Sequence, residues 1–241
     1  MWRFLGIGAQ KAGTTWLYSN LQRHAEIAFP GGKEMHFWNR PHDAVDIDRY
    51  LRTFAGDSDL CEGEITPAYG ILPSHNVAEI YRHAPTLRIL YVVRNPVERA
   101  WSSALMALGR AEMERGEASE AWFMDHFRSA GSLARGDYAR CLQCWLEHFP
   151  WEQIHVLFYD DIVRAPDQVL LSACAHLEVS TPDSAVLQHA AQKVFPGSGH
   201  PLPTRLGCFL QALYEPRIQA LETLLGRDLS EWRNPEWQQA C

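Results

Sequence analysis

The 241-residue chain is 46% hydrophobic and 21% charged, with 16 Gly and 14 Pro, a balance that excludes disordered, collagen-like and coiled-coil classes. Its 22 Lys and Arg stand against 29 Asp and Glu, a net charge of -7. Bulk attraction to nucleic acid is thereby excluded, though a local basic pocket is not. No stretch reaches the roughly 20 apolar residues of a membrane helix, and the opening Met1–Ile7 is too short for a signal-peptide apolar region. A soluble, cytoplasmic protein with neither nucleic-acid nor membrane partners is expected. The Cys141/Cys144 pair has no second pair or His cluster at zinc spacing and lies in a helical pattern, so it reads as two small helix residues.

In chain order, Phe4 to Gly8 is a short apolar run that ends at glycine, a buried-strand pattern. Thr14 to His24 reads as a helix with Trp16, Leu17 and Leu21 on one side. Leu87 to Val93 is an apolar, partly β-branched strand closed by Pro96, which then starts a helix continuing from Val97 to Leu108. The charged stretch Arg110 to Glu120 reads as a solvated helix. Tyr138 to Phe149 is an amphipathic helix, Ile154 to Tyr159 a third strand, and Gln168 to Leu177 and Arg217 to Leu225 further helices. Apolar strands alternating with helices predict an α/β fold, a central parallel sheet with helices on both faces. No repeat or Gly/Ser linker divides it, so one domain over residues 1–241 is expected. In such sheets ligands bind at the carboxyl ends of strands, which directs attention to the loops after Ile7, Val93 and Tyr159.

The first loop is Gly8-Ala9-Gln10-Lys11-Ala12-Gly13-Thr14-Thr15-Trp16. Its glycines let the backbone wrap closely, and amides of the loop and first helical turn can share an anion. Gly8 and Gly13 have the spacing of an ATP-binding G-x-x-x-x-G-K-[ST] loop. Thr14, however, stands where the lysine would be, and the cation has moved into the loop as Lys11. The cradle for phosphate is present, whereas the lysine-plus-metal grip on a triphosphate is not.

The second loop, Arg94-Asn95-Pro96-Val97-Glu98-Arg99-Ala100-Trp101-Ser102, carries a guanidinium where a nucleoside-triphosphate site would often place a magnesium-binding Asp. Arg94 suits bidentate phosphate recognition, and Ser102, two helical turns on, can add a hydroxyl. Two anion sites imply a ligand with two separated phosphate groups.

These two segments resemble the signature segments of sulfotransferases that use 3′-phosphoadenosine 5′-phosphosulfate (PAPS): the first their 5′-phosphosulfate loop, the second their 3′-phosphate motif. Gly32–Trp38, Gly63–Tyr69, Gly136–Tyr138 with Trp145–Pro150, and Leu225–Trp232 resemble, in order, segments of the bacterial and heparan-type branch. The resemblance covers nearly the whole chain and implies a P-loop-like fold. It also implies in-line transfer of a sulfuryl group from PAPS to a hydroxyl, with adenosine 3′,5′-bisphosphate (PAP) as product and no metal. It assigns Lys11, Ala12, Gly13, Thr14, Thr15, Trp16, Arg94 and Ser102 to the nucleotide, and Lys11 also to the leaving phosphate. Glu34 inherits the role of base, with His36 orienting the acceptor or serving as the alternative base.

Three departures bear on the acceptor. The Asp common after the Glu34 segment is Asn39 here, which bears on the charge of His36. The Lys that heparan-type enzymes use on their polysaccharide is Ile65. The Lys-Gly-Arg of their C-terminal nucleotide loop is replaced by Phe195–Pro201, a Gly-rich stretch that reads as a lid, flanked by Lys193 and Arg205. With the acidic net charge, these predict a small hydroxylated acceptor, such as a natural-product intermediate or sugar. Residues 38–60 and 109–135 are the expected acceptor loops. Trp16 and Trp38 are placed to line the cleft, while Trp101, Trp145 and Trp232 read as core. The alternatives are a P-loop nucleoside-triphosphate kinase, favoured by Asp160-Asp161 after a strand, and a non-catalytic nucleotide-binding protein.

Overall fold

The computed structural model describes residues 2–55, 59–112, 115–192 and 200–233. The chain forms two compact units, residues 1–93 with 143–194 and residues 94–142 with 195–241. Its strands are β1 (Trp2–Gly8), β2 (Ile27–Ala28), β3 (Cys61–Ile65), β4 (Arg88–Val93) and β5 (Ile154–Phe158). The described helices are α1 (Thr14–Leu21), α2 (Ala44–Arg52), α3 (Ser74–His83), α4 (Pro96–Arg110), α5 (Glu120–Arg128), α6 (Ala130–Gly136), α7 (Tyr138–Leu146), α8 (Tyr159–Arg164), α9 (Pro166–His176), α10 (Ser184–Ala190) and α11 (Thr204–Leu225).

All five strands belong to the first unit and pair in parallel in the order β2-β3-β1-β4-β5. Phe4, Leu5 and Ile7 of β1 and Ile89, Leu90, Val92 and Val93 of β4 are wholly buried, as a sheet covered on both faces requires. The chain leaves β1 toward one edge of the sheet and β3 toward the other, so the right-handed rule for parallel crossovers assigns α1 and α3 to opposite faces. The expected α/β fold with a parallel sheet is therefore the observed one. The order reverses between β1 and β4, the position at which sheets of this kind bind ligands beyond the strands' carboxyl ends.

β3 escapes the apolar-run criterion. Its sequence Cys61-Glu62-Gly63-Glu64-Ile65 is buried throughout, with Glu64 fully enclosed. Gly63 is required there, since a Cβ would lie 2.4 Å from the Phe4 carbonyl oxygen.

In the second unit α4, α5, α6 and α11 pack together. Trp101 meets Phe123 at 5.2 Å and Phe127 meets Phe209 at 6.4 Å between ring centres. Helix α11 begins thirteen residues before the expected Arg217 and passes through Pro216. Proline inside a helix costs about 3 kcal/mol. Here Leu206, Leu210, Tyr214, Ile218 and Leu221 keep one buried face across it, and that burial outweighs the lost hydrogen bond. The expected solvated helix over Arg110–Glu120 is not formed. α4 stops at Arg110, Glu112 turns left-handed, and Arg115–Glu117 is only a 3-10 turn. Trp101, Trp145 and Trp232 are core residues as expected.

Candidate active site

β1 delivers the chain into the first loop at Gly8, whose φ is 147° and whose added Cβ would lie 2.9 Å from the Pro67 carbonyl oxygen. The Ala9 amide donates to the Val92 carbonyl at 2.6 Å and the Ala12 amide to the Ala9 carbonyl at 3.1 Å. The loop thus folds back tightly on the end of the sheet. Lys11 sits in the left-handed region at φ 69°. Gly13 precedes α1 at φ 106°, and no side chain caps the helix. The first-turn amides of an α-helix have no intrahelical acceptor. At Thr14, Thr15 and Trp16 they form, with the helix dipole, a set of donors suited to an anion. A Cβ at Gly13 would come within 3.1 Å of the Tyr159 ring, so the loop is shaped by backbone rather than side chains. Ala12 is fully buried and contributes through its backbone.

Two of the expected cleft-lining residues turn inward. The Trp16 indole is buried, its Nε1–H donating to the Ala190 carbonyl at 2.8 Å. Trp38 is fully buried and stacks on Trp2 at 6.0 Å. Both side chains serve the core: the Trp16 indole satisfies its N–H on a backbone carbonyl, and Trp38 packs among the rings of Trp2, Phe37 and Tyr50. The Trp16 assignment to the anion loop survives only through its backbone amide.

The Lys33–Asn39 loop gathers its charged groups. The Lys33 ammonium contacts the Glu34 carboxylate, and His36 Nε2 lies 3.6 Å from Glu34 Oε2. His36 Nδ1 stands 3.3 Å from Asn39 Oδ1, an arrangement that suits Nδ1–H donating and leaves Nε2 facing Glu34. The Glu34 and His36 side chains are 40% and 32% exposed, open enough to meet a substrate. Both residues have left-handed backbones, at φ 62° and 56°. The Glu34 amide donates to the carbonyl of Ile65 at 3.0 Å, which ends β3. Ile65 pairs with Gly6 of β1. Lys11 and Glu34 therefore lie on loops at the carboxyl ends of two neighbouring parallel strands. Ile65 is itself buried and presents no side chain to an acceptor.

The sequence reading missed what supports this loop. Glu64, wholly buried, accepts from the hydroxyls of Tyr50, Thr66 and Tyr69 and from the Met35 amide. Burial pushes its pKa above the ordinary carboxylate value, against the pull of those four donors. The available signals were two glutamates between apolar neighbours and the place of Glu64, Thr66 and Tyr69 within the resembling Gly63–Tyr69 segment.

Arg94 and Ser102 belong to the second unit. Arg94 directs Nε and Nη2 at Glu98 Oε2, at 3.0 and 2.7 Å, and its carbonyl accepts the Tyr138 hydroxyl at 2.7 Å. Asn95 caps α4 through the Val97 amide at 3.0 Å and donates to the Trp232 carbonyl at 3.1 Å. This makes the Leu225–Trp232 segment a support for the turn that carries Arg94. Ser102 is half-buried on α4. Arg205 pairs with Glu120 at 2.8 Å, while Lys193 and residues 195–199 of the expected lid lie outside the described residues. Among the described residues no group of three His, Cys, Asp or Glu is arranged to hold a metal. No described helix is long and apolar enough to cross a membrane.

The family model for the sulfotransferase domain matches residues 3–195. The chain belongs to the sulfotransferase family. It is 30% identical, over 66% of its length, to the human heparan sulfate glucosamine 3-O-sulfotransferase 3B1. It is 22% identical, over 96% of its length, to the membrane-associated sulfotransferase kil1 of Dictyostelium discoideum. The chain spans 42% and 66% of those two proteins. A solved sulfotransferase from Alicyclobacillus acidocaldarius superimposes with a TM-score of 0.74 at 30% identity, covering 97% of this chain and 99% of that one. A mouse sulfotransferase, SULT7A1, solved with PAP, shares the fold at a TM-score of 0.56 and 17% identity, covering 85% and 69%. Membership in that family weighs against the nucleoside-triphosphate kinase alternative.

Proposed function

We propose that residues 1–241 form one sulfotransferase domain that moves the sulfuryl group of PAPS in line to a hydroxyl of a small-molecule or saccharide acceptor. The observation that carries this reading is the placement of two loops at the ends of neighbouring strands. After β1 come Lys11 and an uncapped helix start, and at the end of β3 come Glu34 and His36.

Chemically, the bond between sulfur and the phosphate oxygen breaks while a new sulfur–oxygen bond forms to the acceptor. The departing phosphate gains negative charge. The Gly13–Trp16 amides are suited to stabilise it without reorganising, since their positions are set by backbone, and Lys11 supplies a cation from the same loop. The acceptor hydroxyl loses its proton to a base, and Glu34 fills that role, with the His36 imidazole beside it as orienting group or alternative base. Arg94 and Ser102 are assigned to the 3′-phosphate, for which a planar guanidinium is the fitting partner. The loop suits a phosphate because its glycines at positive φ keep side chains off the backbone and leave the first-turn amides of α1 uncapped.

The acidic net charge and buried Ile65 favour a compact acceptor over a long polyanion, although the human relative's name specifies heparan sulfate. A natural-product intermediate fits these features, as does a cytoplasmic setting.

Calorimetric titration with PAP, with and without magnesium and against ATP, tests the donor. Metal-independent binding that ATP does not match is expected. Binding of ATP alone, and only with magnesium, would overturn it. Glu34→Gln should keep PAP affinity and lose transfer; if transfer survives, His36 becomes the base.

A further inference from the structure

We propose that Glu64 is the positioning residue for the Lys33–Trp38 loop, holding Glu34 and His36 in their left-handed conformations by collecting the loop's amides on one buried carboxylate. The inference rests on the reading of Glu34 and His36 as the acceptor-side groups.

Four consecutive loop amides converge on this carboxylate. The Met35 amide donates directly to Glu64 Oε2 at 3.3 Å. The His36 amide points at Thr66 Oγ1 at 3.5 Å, and Thr66 donates to Oε2 at 2.6 Å. The Phe37 and Trp38 amides reach the Tyr69 hydroxyl at 2.8 and 3.3 Å, and Tyr69 donates to Oε1 at 3.0 Å. Tyr50, from α2, donates to Oε1 as well. Thr66 and Tyr69 each accept from amides, so the one proton of each hydroxyl must go to Glu64. Each carboxylate oxygen therefore receives two donors. An ionised carboxylate has that capacity, whereas a side-chain amide has only one accepting atom.

The loop needs such an anchor. Non-glycine residues at positive φ are strained and persist only where their surroundings over-determine them. Glu34 and His36 are two such residues, separated by one position. Their backbones are held on one side by the end of β3 and on the other by Glu64, while their side chains project outward. Glu64 is fully buried and is assigned no contact with substrate. Its role is to decide where the Glu34 carboxylate and the imidazole stand.

Glu64→Gln is the near-isosteric test, read by hydrogen exchange and by kinetics on the full chain. Exchange at amides 35–38 should accelerate at least tenfold, with β1 and β4 amides unchanged. kcat should fall at least tenfold while PAP affinity stays within twofold. Thr66→Val and Tyr69→Phe leave the carboxylate in place. They should loosen amide 36, and amides 37 and 38, respectively, which covers the case in which Glu64→Gln does not fold. Unchanged exchange in Glu64→Gln, or in both hydroxyl variants if it does not fold, would overturn the anchoring. Faster exchange with an unaltered kcat would overturn the catalytic positioning. In that outcome a fully active Glu34→Gln, His36→Asn double variant would place the failure in the acceptor-side reading rather than in the anchor.

Discussion

The two segments assigned to phosphate groups are built in opposite ways. The Gly8–Trp16 loop is a backbone device: two glycines at positive φ, a lysine at φ 69° and a helix start without a side-chain cap. The Arg94–Ser102 segment is a side-chain device. Its guanidinium is already engaged by Glu98 through two nitrogens, while its backbone is pinned by Tyr138 and Asn95. A backbone cradle holds its donors in place before any ligand arrives and loses little entropy on binding. An arginine paired with a carboxylate must exchange one anion for another, so its net gain is smaller and depends on what the carboxylate gives up. The first arrangement suits the group whose charge changes during transfer, and the second suits a group that only has to be held.

Four substitutions test that contrast. Lys11→Ala should lower kcat by about 10²–10³-fold, the usual consequence of removing one preorganised donor from developing charge; a stopped assay with saturating PAPS measures it, and a wild-type rate would remove Lys11 from the leaving-group role. Arg94→Ala should weaken PAP binding by about 10–100-fold, the range of a lost charge-assisted pair, with kcat at saturation little altered. Equal PAP affinity would remove the 3′-phosphate assignment. Gly13→Ala should cost about 1–2 kcal/mol in chemical denaturation, since alanine is strained at φ 106° and the Tyr159 ring stands 3.1 Å from the new methyl group. An unaltered denaturation midpoint would show that the loop is softer than a backbone cradle has to be. Glu98→Gln should have the smallest effect, tightening PAP binding by about 2–5-fold as the competing charge is removed. Weaker binding instead would mean that Glu98 orients Arg94 rather than competing for it.

Much of the sheet was legible in the sequence because its strands are apolar runs. Leu87–Val93 and Ile154–Tyr159 needed only a one-residue trim at one end. The Gly8–Gly13 loop after β1 was legible as a tight strand-to-helix turn, because glycine spacing and lysine position are local properties. β3 was not legible as a strand, because Glu62 and Glu64 interrupt any apolar run and a buried Glu64 is acceptable only once the hydroxyls of Tyr50, Thr66 and Tyr69 are brought around it. Arg99 was hidden for the same reason. It stands in the second motif with no role assigned from the sequence, and it is fully buried, with Nη2 donating to the Ser132 carbonyl at 2.9 Å. The tryptophans beside the motif loops were misjudged because proximity in sequence to a ligand loop does not fix which way an indole turns.

The sequence by itself determined the parallel α/β sheet, the glycine-bracketed loop that carries Lys11, and the arginine that follows β4. These follow from runs of hydrophobicity and from glycine and proline geometry, which act over a few residues. Tertiary structure alone decided that Trp16 and Trp38 belong to the core, that α11 runs through Pro216, and that four loop amides are tied to a buried glutamate, one directly and three through the hydroxyls of Thr66 and Tyr69. Each of these depends on groups far apart in the chain, and a buried polar atom is acceptable only where distant partners satisfy it.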